Sequence, residues 1–274
     1  MPDNFCFESL ERVKIKLPDT KIRLFSYDNL DAIRVQSKDT NVLLIVHYNA
    51  YDRKTAARIP GFRKSGFIVI EDFTHAAFEI KKARANFSFA SLRKVLPISA
   101  SVTYAMKGPQ REVHAKSAFL RIKNLATVIK TLVLKNRGYA SEELYLELFR
   151  LAEKQLYNSK IQPANTAEIQ LLRRLNIERA LEVRLRNFRY LKRSIRIKGL
   201  VSKVYPGNYS YFIIGTKNQG KLRKHFFVNG IFPAIHWAEG SSREGSTTLS
   251  LHIDHRFNVT DMRRIKDILD SYVE

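Results

Sequence analysis

The chain has 274 residues, of which 45% are hydrophobic, and its 48 lysines and arginines against 26 acids give a formal charge of +22. That is enough apolar material for one large domain or two modest ones, and no apolar run approaches the length of a membrane span. The single cysteine, Cys6, excludes an internal disulfide and a thiolate zinc cluster.

The N-terminal stretch MPDNFCFESL lacks a basic region followed by an apolar one, so it does not read as a signal peptide. Residues 21–27, 41–48, 66–72, 86–92 and 100–106 are short runs rich in Val, Ile, Phe and Tyr, and read as strands. Connections long enough for crossovers separate them. Residues 56–62 supply one such helix, interrupted at Pro60-Gly61. This alternation predicts an α/β fold with a mostly parallel sheet covered on both faces.

From about 112 the pattern turns helical. Residues 118–135, 142–156 and 167–194 repeat apolar positions at three and four, with breaks at 136–138 and 158–165. The stretch 173–198 is also rich in arginine and lysine, which makes it an amphipathic helix with a basic outer face. Gly199 stops that helix. Beyond it, 209–215 and 247–253 read as strands, and 219–228 and 260–272 as helices, a small α+β segment. The expected organisation is a large domain over 1–165, a connecting helix over 166–198 and a small domain over 199–274.

The segments IVIEDFTHAAF (68–78) and FSFASLRKVLP (87–97) carry the chemistry. A hydrophobic run ending in an acid places Asp72 at the C-terminal edge of a buried parallel strand, where ligands of open α/β sheets collect. Lys94 lies just past the next strand and can reach the same crevice. A carboxylate able to pair with a pyridinium nitrogen, with a lysine able to form an imine, is what pyridoxal phosphate chemistry requires. By spacing alone, Asp72 reads more readily as a helix cap or surface residue and Lys94 as a solvated charge.

The two segments together resemble the cofactor-binding core of fold-type-I pyridoxal phosphate enzymes of the DegT/DnrJ/StrS aminotransferase family. The match is to members whose lysine sits in Ser-Leu-Arg-Lys followed by proline. NVLLIVHYNAY (41–51) resembles the family's preceding strand, ERALEVRLRNFRYLKRSI (178–195) its Arg-rich helix, and NGIFPAIHW (229–237) with LSLHIDHRFNVTDMRRI (249–265) its C-terminal domain. The motifs run in order from about residue 20 to the C-terminus.

The resemblance implies Lys94 as the catalytic residue and pyridoxal 5'-phosphate as the cofactor. It implies Asp72 on the ring nitrogen, Thr74 against the ring face, His75 near the phenolic oxygen, and Ser91, or alternatively Ser88, near the phosphate. His236, Trp237 and Arg256 are its substrate-side candidates. It further implies an amino-acid donor, a carbonyl acceptor such as a nucleotide-linked sugar, a role in polysaccharide or secondary-metabolite synthesis, a homodimer and a cytoplasmic location. No metal is expected: His252 and His255 have no third ligand nearby in the sequence.

Departures accompany the match. The family begins with a segment that supplies a helix N-terminus for the phosphate, and this chain starts after that point, so a truncated large domain with weakened cofactor affinity is expected. Ala85-Asn86 replace a Gly-Asp pair, and Ser99-Ala100-Ser101 replace paired glycines. Two rival readings follow: a non-catalytic relic acting through protein association, and a basic nucleic-acid binder. The second has no zinc-finger, RNP or Gly-Arg signature behind it, so nucleic acid is not an expected partner.

Overall fold

The apolar runs at 41–48 and 66–72 become adjacent parallel strands. In the computed structural model, which describes residues 1–3, 5–33, 41–48, 51–96, 98–105, 118–135, 141–158, 164, 166–195, 203–204, 210–235 and 248–272, the chain forms two compact units. The first comprises residues 1–95, 102–108 and 176–274, and the second residues 96–101 and 109–175.

The first unit opens with helix α1 (Phe7–Lys16). The strand expected over 21–27 is absent: Phe25 makes only an isolated bridge to Pro2, and a 3-10 turn follows over Tyr27–Ala32. Strand β1 (Asn41–Val46), helix α2 (Arg53–Lys64) and strand β2 (Phe67–Asp72) then form a strand–crossover–strand unit, with Gly66 at φ 93° between α2 and β2. Only glycine adopts that backbone without strain. Strands β3 (Phe87–Ser91) and β4 (Ser101–Ala105) complete a sheet of order β1-β2-β3-β4. The β1/β2 and β2/β3 pairs are parallel.

Helix α2 runs through Pro60 without interruption, contrary to the expectation from sequence. Proline removes one intrahelical hydrogen bond and costs about 3 kcal/mol in a helix interior. Pro60 itself is exposed, while Ala56, Ile59 and Phe62 bury one face against Leu43, Ile45, Phe67 and Val69. At about 1.5–3 kcal/mol for each large apolar side chain, that face outweighs the proline. Asp52 caps the helix by accepting from the Lys54 and Thr55 N–H groups.

At the outer edge of the sheet, the Tyr27 hydroxyl donates to the Val46 carbonyl (2.8 Å) and accepts from the Val46 N–H (2.7 Å). Burial pushes the Tyr27 phenol well above its ordinary pKa, so it keeps its proton for this pair of bonds.

The remainder of the first unit is built on helix α6 (Ile177–Ser194), numbered after three helices of the second unit: α3 (Ala118–Leu134), α4 (Glu142–Asn158) and α5 (Thr166–Arg174). The helix expected over 167–194 is therefore two. It breaks at Leu175, and Asn176 caps α6 by accepting from the Arg179 N–H (2.8 Å). Strands β5 (Lys203–Val204), β6 (Tyr211–Gly215) and β7 (Thr248–His252) form an antiparallel sheet in that order. Helices α7 (Gln219–Val228) and α8 (Val259–Asp270) accompany it. Phe188, Leu191, Phe212, Ile214, Leu222, Phe226, Leu249 and Met262 fill their shared core. Asn258 and Asp261 make a reciprocal capping box at the start of α8.

In the second unit, Phe119 and Leu120 of α3 and Ala152 of α4 form a small core. The opposite face of α3 leaves Leu125, Val128 and Leu132 exposed at helical spacing. No helix among the described residues is long and apolar enough to cross a membrane.

Candidate active site

Asp72 and Lys94 come to one edge of the parallel sheet. Asp72 ends β2 and pairs in register with Phe89 of β3. Because the strands are parallel, the residues that follow Phe89 leave the sheet at the edge where Asp72 sits. Ser91 ends β3, and Leu92–Lys94 form a 3-10 turn whose lysine is exposed. The two exit loops are tied together, since the Ser91 N–H donates to the Thr74 hydroxyl (3.4 Å).

Asp72 is 7% exposed. One carboxylate oxygen accepts from the Thr74 N–H at 2.7 Å. Among the described residues, no lysine or arginine pairs with Asp72. Burial therefore raises its pKa, and the Thr74 hydrogen bonds only partly oppose that rise. A buried carboxylate left short of positive charge suits a cationic N–H donor. A protonated pyridine nitrogen is such a donor, and an exposed amine stands at the same sheet edge, so these residues fit pyridoxal phosphate.

The strand pleat separates the two candidate serines. Ser88 pairs with Glu71, and alternation puts both on the sheet face opposite Asp72. Ser88 is buried, and its hydroxyl has no hydrogen-bond partner among the described residues. Ser91 lies at the edge itself. Thr74 and His75 follow Asp72 and are half-buried, and the His75 carbonyl accepts from the Ser210 hydroxyl at 3.1 Å. Arg256 lies elsewhere, on the loop after β7. It is exposed, and both its backbone N–H and its Nε donate to Asp254 (2.9 and 2.8 Å). His236 and Trp237 lie outside the described residues.

A second cluster, not singled out from sequence, supports this edge from below. His47 and Glu71 are both fully buried, with Nε2 and Oε1 3.1 Å apart. The Asp52 N–H donates to His47 Nδ1 (3.3 Å), which makes Nδ1 the acceptor and Nε2 the protonated nitrogen of a neutral ring. Nε2–H then donates to a Glu71 carboxylate whose other oxygen accepts from the Arg84 and Ala85 N–H groups (2.6 and 2.8 Å). The backbone of His47 also donates to the Asp72 carbonyl at 2.9 Å. Ala85-Asn86 thus has a clear local function. Ala85 binds Glu71, while the Asn86 side chain accepts from the Val69 N–H and its own N–H donates to the Val69 carbonyl, both at 3.0 Å.

The other residue missed was Arg184. Its position was legible in the helix phase: it shares a stripe with Ala180, Val183, Asn187, Phe188 and Leu191, all buried. Arginine richness along the helix concealed the one that points inward.

No protein-family model matches this chain, and no curated protein matches it by sequence. Solved structures do match. The chain is similar to a DegT DnrJ EryC1 StrS aminotransferase from Brucella abortus at 14% identity and a TM-score of 0.50, with 98% of this chain and 71% of that one covered. It is similar to the sugar aminotransferase CalS13 from Micromonospora echinospora at 11% identity and a TM-score of 0.58, covering 98% and 79%. DesV of S. venezuelae, solved in complex with a ketimine intermediate, matches at 17% identity and a TM-score of 0.53, covering 87% and 67%. At such identities the likeness establishes the fold, that of the fold-type-I aminotransferases.

Proposed function

We propose that this chain, built on the fold of the sugar aminotransferases, holds pyridoxal 5'-phosphate between Asp72 and Lys94. On this reading it moves an amino group from an amino-acid donor to a carbonyl carbon, with a nucleotide-linked sugar as the acceptor class. The observation that carries the reading is the register of two parallel strands, Asp72 opposite Phe89, with Lys94 on the turn that leaves the same edge. When bound, the cofactor supplies an electron sink for the carbanion at the donor's α-carbon.

The residues divide the remaining work. Asp72 would keep a proton on the ring nitrogen, and the contact would relieve the cost of burying its charge. Lys94 would hold the cofactor through Nζ and move the proton at the donor's α-carbon. Thr74 would lie against the ring, His75 near its phenolic oxygen and Ser91 near the phosphate. Arg256, although engaged with Asp254, presents an exposed guanidinium suited to an anionic substrate group. Two copies of the chain are expected to pair, because the exposed stripe of α3 and the exposed Val42, Ile68 and Phe87 of the parallel sheet favour association. Light scattering over a dilution series should give a dimer or larger, and a clean monomer at high concentration would contradict it.

Borohydride reduction in the presence of pyridoxal phosphate, followed by peptide mass mapping, tests the assignment. The label is expected on Lys94 and is lost in Lys94→Ala, with transamination falling by about 100-fold or more, as for removal of a positioned acid–base group. Labelling spread over many lysines and unchanged in that variant would sink the reading.

A further inference from the structure

We infer that Arg184 and Ser210 are positioning residues that fasten the two halves of the Asp72–Lys94 edge to the C-terminal sheet. Arg184 sets the turn that carries Lys94, and Ser210 sets the turn that follows Asp72. This inference rests on the function proposed above.

Arg184 sits on α6 and is 1% exposed. One terminal nitrogen donates to the carbonyl of Val95, the residue after Lys94, at 2.7 Å. The same nitrogen donates to the Asp254 carboxylate at 2.7 Å, and the other terminal nitrogen reaches the Ser210 carbonyl at 3.3 Å. The ring of Phe78, beyond the Asp72–His75 turn, lies 5.8 Å from the guanidinium carbon. Ser210 completes the set through its hydroxyl on the His75 carbonyl. One buried cation and one hydroxyl therefore touch the backbone or ring on both sides of the sheet edge.

A guanidinium buried this deeply is costly unless its donors are satisfied. The protein bears that cost where a fixed fork of donors is useful. Two backbone carbonyls and a carboxylate, shared between two terminal nitrogens, suit a planar guanidinium, whose fork the single nitrogen of an ammonium does not reproduce. Asp254 is itself held by the neighbouring Arg256, and Asn187, one turn along α6, donates to the Ile253, Asp254 and Phe257 carbonyls (3.4, 3.3 and 3.0 Å). The loop after β7 is thus held at several points, and Arg184 ties it to the Val95 carbonyl.

The two tethers make separable predictions. In Arg184→Lys, the rate of pyridoxal phosphate labelling at Lys94 should fall about tenfold or more, because a small misplacement of a reacting group is that costly. Pyridoxamine 5'-phosphate, which makes no bond to lysine, should bind within about threefold of wild type. Ser210→Ala should show the reverse, weakening pyridoxamine phosphate while sparing the Lys94 labelling rate. Amide exchange in the cofactor-free protein gives a second readout. Exchange over residues 92–96 should quicken in Arg184→Lys, with α8 unchanged. If Arg184→Lys does not fold, Asp254→Asn keeps both carbonyl acceptors and carries the same comparison.

A folded variant with unaltered labelling and unaltered exchange over 92–96 overturns the inference. So does equal quickening throughout α8, which would mark a purely structural role. Local exchange that responds as expected, in a wild-type protein that takes no label at Lys94, supports the tether and instead overturns the proposed cofactor.

Discussion

The burial of Asp72 bears on stability in one sense and on the proposed cofactor binding in the other. Its folded-state pKa is raised by burial, with His47, Tyr27 and Tyr48 the titratable groups that face it. A raised carboxyl favours folding while protonated, and that contribution disappears as pH climbs from its ordinary value of about 3.9 through the raised one. At neutral pH the cofactor-free protein thus carries a buried charge that weakens it. Asp72→Asn preserves the acceptor for the Thr74 N–H and removes the charge. The variant should melt above wild type at pH 7, with the difference vanishing by about pH 4, and should lose cofactor binding. Thermal melts at the two pH values check the first part, and visible absorption in added pyridoxal phosphate checks the second. An equal effect at both pH values would show that the charge is not the cause.

The strand ends depend on one carboxylate. Glu71 serves the neutral His47 ring and two backbone N–H groups of the loop entering β3, so it joins β1, β2 and β3 behind the candidate site. Glu71→Ala would orphan two buried donors, His47 Nε2 and the Ala85 N–H, at about 1–3 kcal/mol each, together with the part-buried Arg84 N–H, and should destabilise the fold by about 3 kcal/mol or more. Glu71→Gln should also destabilise, because its amide presents N–H where His47 already donates. Urea unfolding of the two variants tests this, and a midpoint within error of wild type would be inconsistent with the bonding described. The element scale also shows what sequence could reveal. The apolar runs at 41–48 and 66–72 announced parallel strands, and the acid closing the second announced the sheet edge, but cover on both faces was not met, since Val42, Ile68 and Phe87 are exposed. Pro60 suggested an interruption because propensity acts locally, whereas the buried face of α2 acts through the tertiary fold. The break at Leu175–Asn176 is hidden in the sequence because apolar spacing continues across it, although asparagine is among the favoured N-cap residues.

For the whole molecule, the order of strands and helices was legible and the convergence of distant segments was not. The placement of Asp72 and Lys94 at one sheet edge was legible because the first ends a strand and the second follows one, each in a segment with a strong local pattern. Arg184 meets Val95 across a sequence separation of 89, and Ser210 meets His75 across 135. No local pattern encodes such partners. The composition also pointed in a wrong direction for one residue, since +22 encourages every arginine to be read as a surface charge. Burial of Arg184 beside Asp254 shows that one of them belongs to the interior.

The pair of hydrogen bonds between Tyr27 and Val46 has a consequence for the company this protein keeps. Among the described residues β1 is an outermost strand, and such a strand offers its amides and carbonyls to any other extended chain, so natural sheets need some device against that invitation. Here one phenolic oxygen occupies both groups of Val46, at the end of β1 nearest the candidate site, so an incoming strand finds its docking rung already filled. Tyr27→Phe keeps the ring and vacates the rung. At high concentration the variant should form thioflavin-positive aggregates sooner than wild type, while dilute samples retain the same circular dichroism spectrum. Unchanged aggregation kinetics would mean that other features guard the strand.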